Sequence, residues 1–355
     1  MEYQAHSEYS SHDMETALRA QSAARRAFGR IALAEAVYTA VAYVAVFLIY
    51  FIVMVSGLAN TPFVQANAAA IDVLLSTLPM YLFAFPVFYL LLRRLPTFPL
   101  TGERPTWRML GALFLVSRFF ILVGSTVSSW MTTAVGTLLG YELTDTTTEL
   151  VMQTPVWLLI LIVVVIGPIM EEIMYRKLMI DRLAAFGDIP AILFSSVLFG
   201  IGHGNLFQFV YAALLGLILG YIYTKTGKLT WCIALHMLTN FLGSIAVLPL
   251  IGVQESILAQ LEAVGDDITL LLTGDAAATF LPNFLILSAY SAIEYALAIA
   301  GAVFFFIYLK RLRFAPRLLE RVGARPMAKS AVCNVGVLIF AAVALVQFIL
   351  SVLPS

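Results

Sequence analysis

Charge is scarce in this chain. Only 12% of its 355 residues are Asp, Glu, Lys or Arg, about half the ~25% of a soluble domain. The 21 basic and 21 acidic residues cancel, so nothing points to a polyanion, and nucleic acid is not expected as a partner. There are two cysteines, Cys232 and Cys333, both in apolar runs and in no CxxC spacing. That excludes a disulfide framework and reads as inert core thiols. There is no HExxH of the helical zinc proteases and no GxSxG nucleophile elbow. Residues 1–30 are polar and lack the short apolar core and small-residue cleavage site of a signal peptide. They read as a cytosolic tail with an amphipathic helix near Met14–Arg30.

What is abundant is apolar sequence: 61% of the residues, with mean hydropathy +0.93. Runs of about 20 apolar residues, the length that crosses a bilayer as a helix, recur throughout. The expected fold is an all-α, polytopic helical membrane protein of eight or nine transmembrane helices with its active site in the bundle. Nine spans are read, near 31–56, 74–92, 108–139, 154–175, 189–203, 206–223, 229–251, 284–308 and 331–353. The chain divides into the tail (1–30), N-terminal spans (31–149), a central core (150–245) and C-terminal spans with a basic loop (246–355).

The few charges test this count. The tail and the second, fourth, sixth and eighth connections hold every Lys and Arg but one. The first, third, fifth and seventh connections hold none, and carry Asp72, Glu142, Asp145, Glu149 and then Glu255 to Asp275. The positive-inside rule then puts the N-terminus in the cytosol and the C-terminus outside. The exception is Arg118, ~16 Å into the third span by helix rise. Glu294 sits at a similar depth in the eighth. The two are expected to form a structural ion pair that fixes helix packing, in preference to an ion or proton path, because an unpaired charge at that depth is costly. Glu35, read as one turn into the first span, is expected only to reach the interface.

Chemistry concentrates in few places. His6 and His12 lie in the tail; His203 and His236 lie in apolar spans, as do Glu171, Glu172 and Asn240. Ionisable groups inside a membrane are a functional-site hypothesis. In "EEIMYR", Glu172 and Arg176 are four apart and share a helix face, whereas Glu171 points about 100° away. Glu172 is thus expected to be held by Arg176, and Glu171 to face a cavity opened by a kink at Gly167-Pro168. In "FGIGH", Phe199 and His203 share a face; in "HMLTN", His236 and Asn240 do. A carboxylate with two imidazoles in a partly dry cavity can activate water, and imidazole and amide N–H groups can stabilise an oxyanion. Alternatively, Glu171, His203 and His236 form a His₂Glu set able to hold zinc.

These three motifs, EExxxR, FxxxH and HxxxN, in this order and on separate spans, resemble the CPBP family of intramembrane proteases (CAAX proteases and bacteriocin-processing proteins, the Abi family). The similarity covers about residues 150–245. Lys177 stands where a glycine often follows the arginine. The resemblance implies an endopeptidase acting at the cytosolic side of the membrane. Glu171 would be the base that activates water, and Glu172 and Arg176 would order the site with Phe199 as a packing wall. His203 would position the water, and His236 and Asn240 would stabilise the oxyanion. A metal-independent glutamate protease is favoured, with zinc the alternative. A non-catalytic immunity or signalling protein of the same fold is the competing class. The expected partners are membrane lipid and an unidentified protein or peptide substrate. The expected location is a prokaryotic plasma membrane.

Overall fold

The computed structural model describes residues 11–353 apart from Pro99, Thr101, Asp266 and residues 319–321. The described residues contain helices and no strand. The principal helices are α1 (Ser11–Val55), α2 (Ala68–Leu92), α3 (Trp107–Leu139), α4 (Val156–Phe186), α5 (Asp188–Gly202), α6 (Leu206–Thr226), α7 (Leu229–Val264), α8 (Gly274–Leu309), α9 (Ala324–Val332) and α10 (Val335–Val352). Eight of them are long and apolar enough to cross a membrane. The molecule is a multi-pass membrane protein.

The span read at 189–203 is the fifteen-residue α5, ~22 Å long by helix rise and short of a full hydrocarbon core. It forms an antiparallel hairpin with α6, and glycines let the two backbones close up. A Cβ on Gly200 would fall 2.6 Å from the Phe209 carbonyl, and one on Gly216 3.0 Å from Ser196. In lipid, where apolar burial gives little drive, such close backbone contact is a main source of helix association.

The basic connections gather at one end of the bundle. Arg30 and Arg182 donate to the Leu91 and Leu92 carbonyls. Asp188 is approached by Lys225 at 3.7 Å and Arg317 at 3.6 Å, and accepts from the Ala315 backbone N–H. Gly227, in the left-handed region at φ 62°, ends α6 where the Leu100 carbonyl passes beside it. At the opposite end Tyr141 donates to the Val352 carbonyl. Within the bundle Arg118 of α3 donates through Nε and Nη2 to Glu294 of α8, so the one basic residue placed inside a span has a carboxylate partner there.

Two expectations change. The helix expected near Met14–Arg30 runs unbroken into the first span, and Ala24, Phe28 and Ile31 on it are fully buried. Glu35 is therefore far from a helix end and fully buried. It does not reach an interface. Of the two thiols, Cys232 is buried and bonds to the Leu219 carbonyl at 3.4 Å. Cys333, at the α9–α10 junction, is exposed, so it is not a core residue.

Candidate active site

The segment carrying the two glutamates is not a plain α-helix. Within α4, Ile160–Ile166 and Glu172–Ile180 are wound as π-helix, in which each N–H bonds the carbonyl five residues back. Gly167 N–H accordingly bonds to Ile162. The next bond in that register would run from residue 168 to Val163. Residue 168 is proline and has no N–H. The orphaned Val163 carbonyl is met from α7, where Asn240 Nδ2 donates to it at 2.9 Å. Gly167-Pro168 thus shapes this stretch through a π turn, with Asn240 completing its hydrogen bonding.

One turn on, Glu172 is fully buried and held on both oxygens. Oε2 lies 3.1 Å from Arg176 Nε, and Oε1 lies 2.9 Å from His236 Nδ1. The approach of Arg176 is an ion pair without hydrogen-bond geometry, and its N–H groups have no acceptor among the described residues. Its guanidinium instead sits 4.7 Å above the Phe199 ring, a cation–π contact strengthened by dehydration. An arginine this deep without Glu172 would cost several kcal/mol.

The paired, acceptor-only Glu172 carboxylate places a proton on His236 Nδ1. His236 Nε2 then faces the other glutamate, 3.5 Å from Glu171 Oε2. That is too long for a good hydrogen bond. Glu171 keeps 30% side-chain exposure where Glu172 has none, so the doublet divides into a sealed carboxylate and an accessible one. Tyr38, Tyr81, Tyr175 and Tyr211, from four different helices, lie within electrostatic reach of Glu171.

His203 caps the end of α5. Its Nδ1 lies 2.8 Å from the Phe199 carbonyl. A carbonyl only accepts, so Nδ1 carries the proton and Nε2 is the open acceptor. Phe199 stands between the histidines, edge-on to His203 at 4.9 Å and to His236 at 5.6 Å. The structure therefore joins Glu171, Glu172, Arg176, Phe199, His236 and Asn240 in one cluster, and His203 enters it through Phe199. Among the described residues no three His, Cys, Asp or Glu side chains are grouped as metal ligands. Both nitrogens of His236 face carboxylates, so the Glu171–His203–His236 set does not fit zinc as arranged.

Sequence reasoning missed Tyr175 and its partner. Tyr175 donates to Glu35 Oε1 at 2.7 Å, and its ring packs edge-on against Phe199 at 5.1 Å. The Tyr175 carbonyl accepts from Ser195 at 2.6 Å, and its hydroxyl fills the space beside Gly202. The available signal was Glu35 itself, a carboxylate in an apolar run that needed a partner.

Comparison with known proteins follows the motifs. Residues 153–242 match the family described as "Type II CAAX prenyl endopeptidase Rce1-like". The chain is also 28% identical over 155 residues to the protein named "Putative membrane peptidase YdiL" of Bacillus subtilis (strain 168), covering 43% of this chain and 64% of that one. It thus spans less than two thirds of that relative's length. No solved structure matches. The resemblance to CPBP-family proteases read from the three motifs is borne out by these two matches.

Proposed function

We propose that the protein is an intramembrane endopeptidase that hydrolyses peptide bonds of membrane-associated proteins or peptides near the cytosolic face. The observation that carries this reading is the division of the glutamate doublet around one imidazole: Glu172 fixes His236 through Nδ1, and the accessible Glu171 faces Nε2. Water bound beside Glu171 gives up a proton to its carboxylate as the oxygen attacks the scissile carbonyl. A carboxylate shielded from bulk water is a better base than one in solution. His203 Nε2, free to accept, orients that water.

The tetrahedral oxyanion needs donors. Asn240 spends one amide N–H on Val163 and retains the second. His236 becomes a donor at Nε2 when protonated, with Glu172 and Glu171 stabilising the imidazolium. The proton taken by Glu171 returns to the leaving amine. Glu172, Arg176 and Phe199 keep the imidazole in place. The basic end of the bundle is assigned to the cytosol by the positive-inside rule, in a prokaryotic plasma membrane, with the C-terminal end of α10 outside.

The test is quantitative proteomics of membrane proteins and peptides in cells carrying wild type or Glu171→Gln. Uncleaved substrates accumulating only with Glu171→Gln support the reading. Identical peptide populations with full complementation would mean a non-catalytic role. Complete inhibition by a membrane-permeant chelator, reversed by added zinc, would replace the metal-independent scheme with the zinc alternative.

A further inference from the structure

A cavity of about 1010 Å³ lies between α3, α5, α6 and α8, away from the glutamates. None of Glu171, Glu172, His203 or His236 lines it. Its walls are apolar, built from residues such as Phe120, Leu193, Ile218, Phe304 and Phe305. Leu193 is 49% exposed, so the cavity opens sideways to the bilayer. Packed helices leave few voids larger than a water molecule, and a space of this size and lining calls for an apolar occupant.

The mouth sets the chemistry of that occupant. Arg108, in the first turn of α3, and Arg311, just beyond α8, both line the cavity, and no Asp or Glu does. Neither arginine has an acidic partner among the described residues. Arg311 stacks on Tyr308 at 5.4 Å, which leaves its N–H edges free for the forked contacts a phosphate accepts. Both lie at the basic end of the bundle, where anionic headgroups concentrate and basic pockets between helices bind them.

We propose that this cavity binds one anionic phospholipid of the bilayer, with its phosphate between Arg108 and Arg311 and an acyl chain along the aromatic wall. A zwitterionic lipid would bring its own cation toward two arginines and is disfavoured. The site stands independently of the proteolytic reading, since no residue of the glutamate cluster takes part.

The full chain, reconstituted in nanodiscs of phosphatidylcholine with a minor fraction of phosphatidylglycerol, is released and its retained lipids counted by native mass spectrometry. Wild type should retain one phosphatidylglycerol in preference to phosphatidylcholine. Arg108→Gln/Arg311→Gln, which changes two exposed side chains, should lower that preference on the order of tenfold or more, given ~1 kcal/mol for each basic residue. Gly111→Phe should lose the retained lipid of either kind, because Gly111 lines the cavity and a Cβ there meets open space. Equal retention of the two lipids by wild type would overturn the proposal, as would undiminished phosphatidylglycerol retention by the double variant or retention of a free fatty acid in its place.

Discussion

Glu172 accepts from His236 Nδ1 at 2.9 Å, across 64 residues of sequence, while its other oxygen lies 3.1 Å from Arg176. This relationship ties α4 to α7 and fixes which imidazole nitrogen is left to face Glu171. Removing the charge should therefore damage structure as well as chemistry. Glu172→Gln, which leaves Arg176 buried without its counter-charge, should cost about 3–5 kcal/mol, read as lowered thermal unfolding in detergent. A Glu172→Gln protein as stable as wild type would show that the ion pair does not hold the site.

Glu171→Gln should behave differently. The side chain is partly accessible and makes no close hydrogen bond, so the unfolding temperature should stay near wild type. Activity should fall about 10²–10⁴-fold, the usual contribution of a general base. Cleavage of a substrate recovered from the proteomic comparison, measured in proteoliposomes, gives the rate. Undiminished cleavage would remove Glu171 from the mechanism.

The Glu35–Tyr175 bond should couple the first span to the site. Tyr175→Phe leaves a buried carboxyl without a donor and should cost about 1–3 kcal/mol. Glu35→Gln combined with Tyr175→Phe should cost less than the sum of the two, with a coupling of about 0.5–3 kcal/mol. Additive losses in unfolding experiments would show that the two residues act separately.

Arg118 and Glu294 form a similar pair between α3 and α8. Arg118→Leu or Glu294→Leu alone should destabilise by about 3–5 kcal/mol, and Arg118→Leu/Glu294→Leu should recover much of the loss. If Arg118→Leu keeps full stability while Glu294→Leu does not, the pair is not what secures these helices.

The fold was legible in the sequence where one physical signal dominated. Apolar length marked the spans, and segregated Lys and Arg marked their alternation. Helical spacing of four correctly put Glu172 beside Arg176, because the π turn there still leaves the two side chains adjacent. Residues brought together by tertiary packing were harder to read. Asn240's bond to Val163 depends on a backbone register that periodicity at 3.6 does not encode. Glu35 was misplaced because a polar stretch before Ile31 reads as the end of a helix. Yet Ser11–Val55 is a single helix, whose buried alanines and Phe28 pack inside the bundle. His203's link to the cluster passes through an aromatic ring, a contact that sequence spacing alone cannot orient.

The winding of α4 has a consequence for how this protein tolerates change in length. Each π turn takes up residues that a regular α-helix of the same height would not hold, so the facing of everything after Ile166 depends on how many residues precede it. Deleting one residue from Ile160–Ile166 would let the ladder return to ordinary α spacing and turn the following segment by about 100°. Glu171 would swing away from His236, and the Val163 carbonyl would lose its register with Asn240. Substitutions in that stretch of Ile, Leu and Val should be tolerated as ordinary exchanges of apolar side chains. A deletion in the same stretch should be as damaging as losing a glutamate, although it removes no polar atom of any side chain.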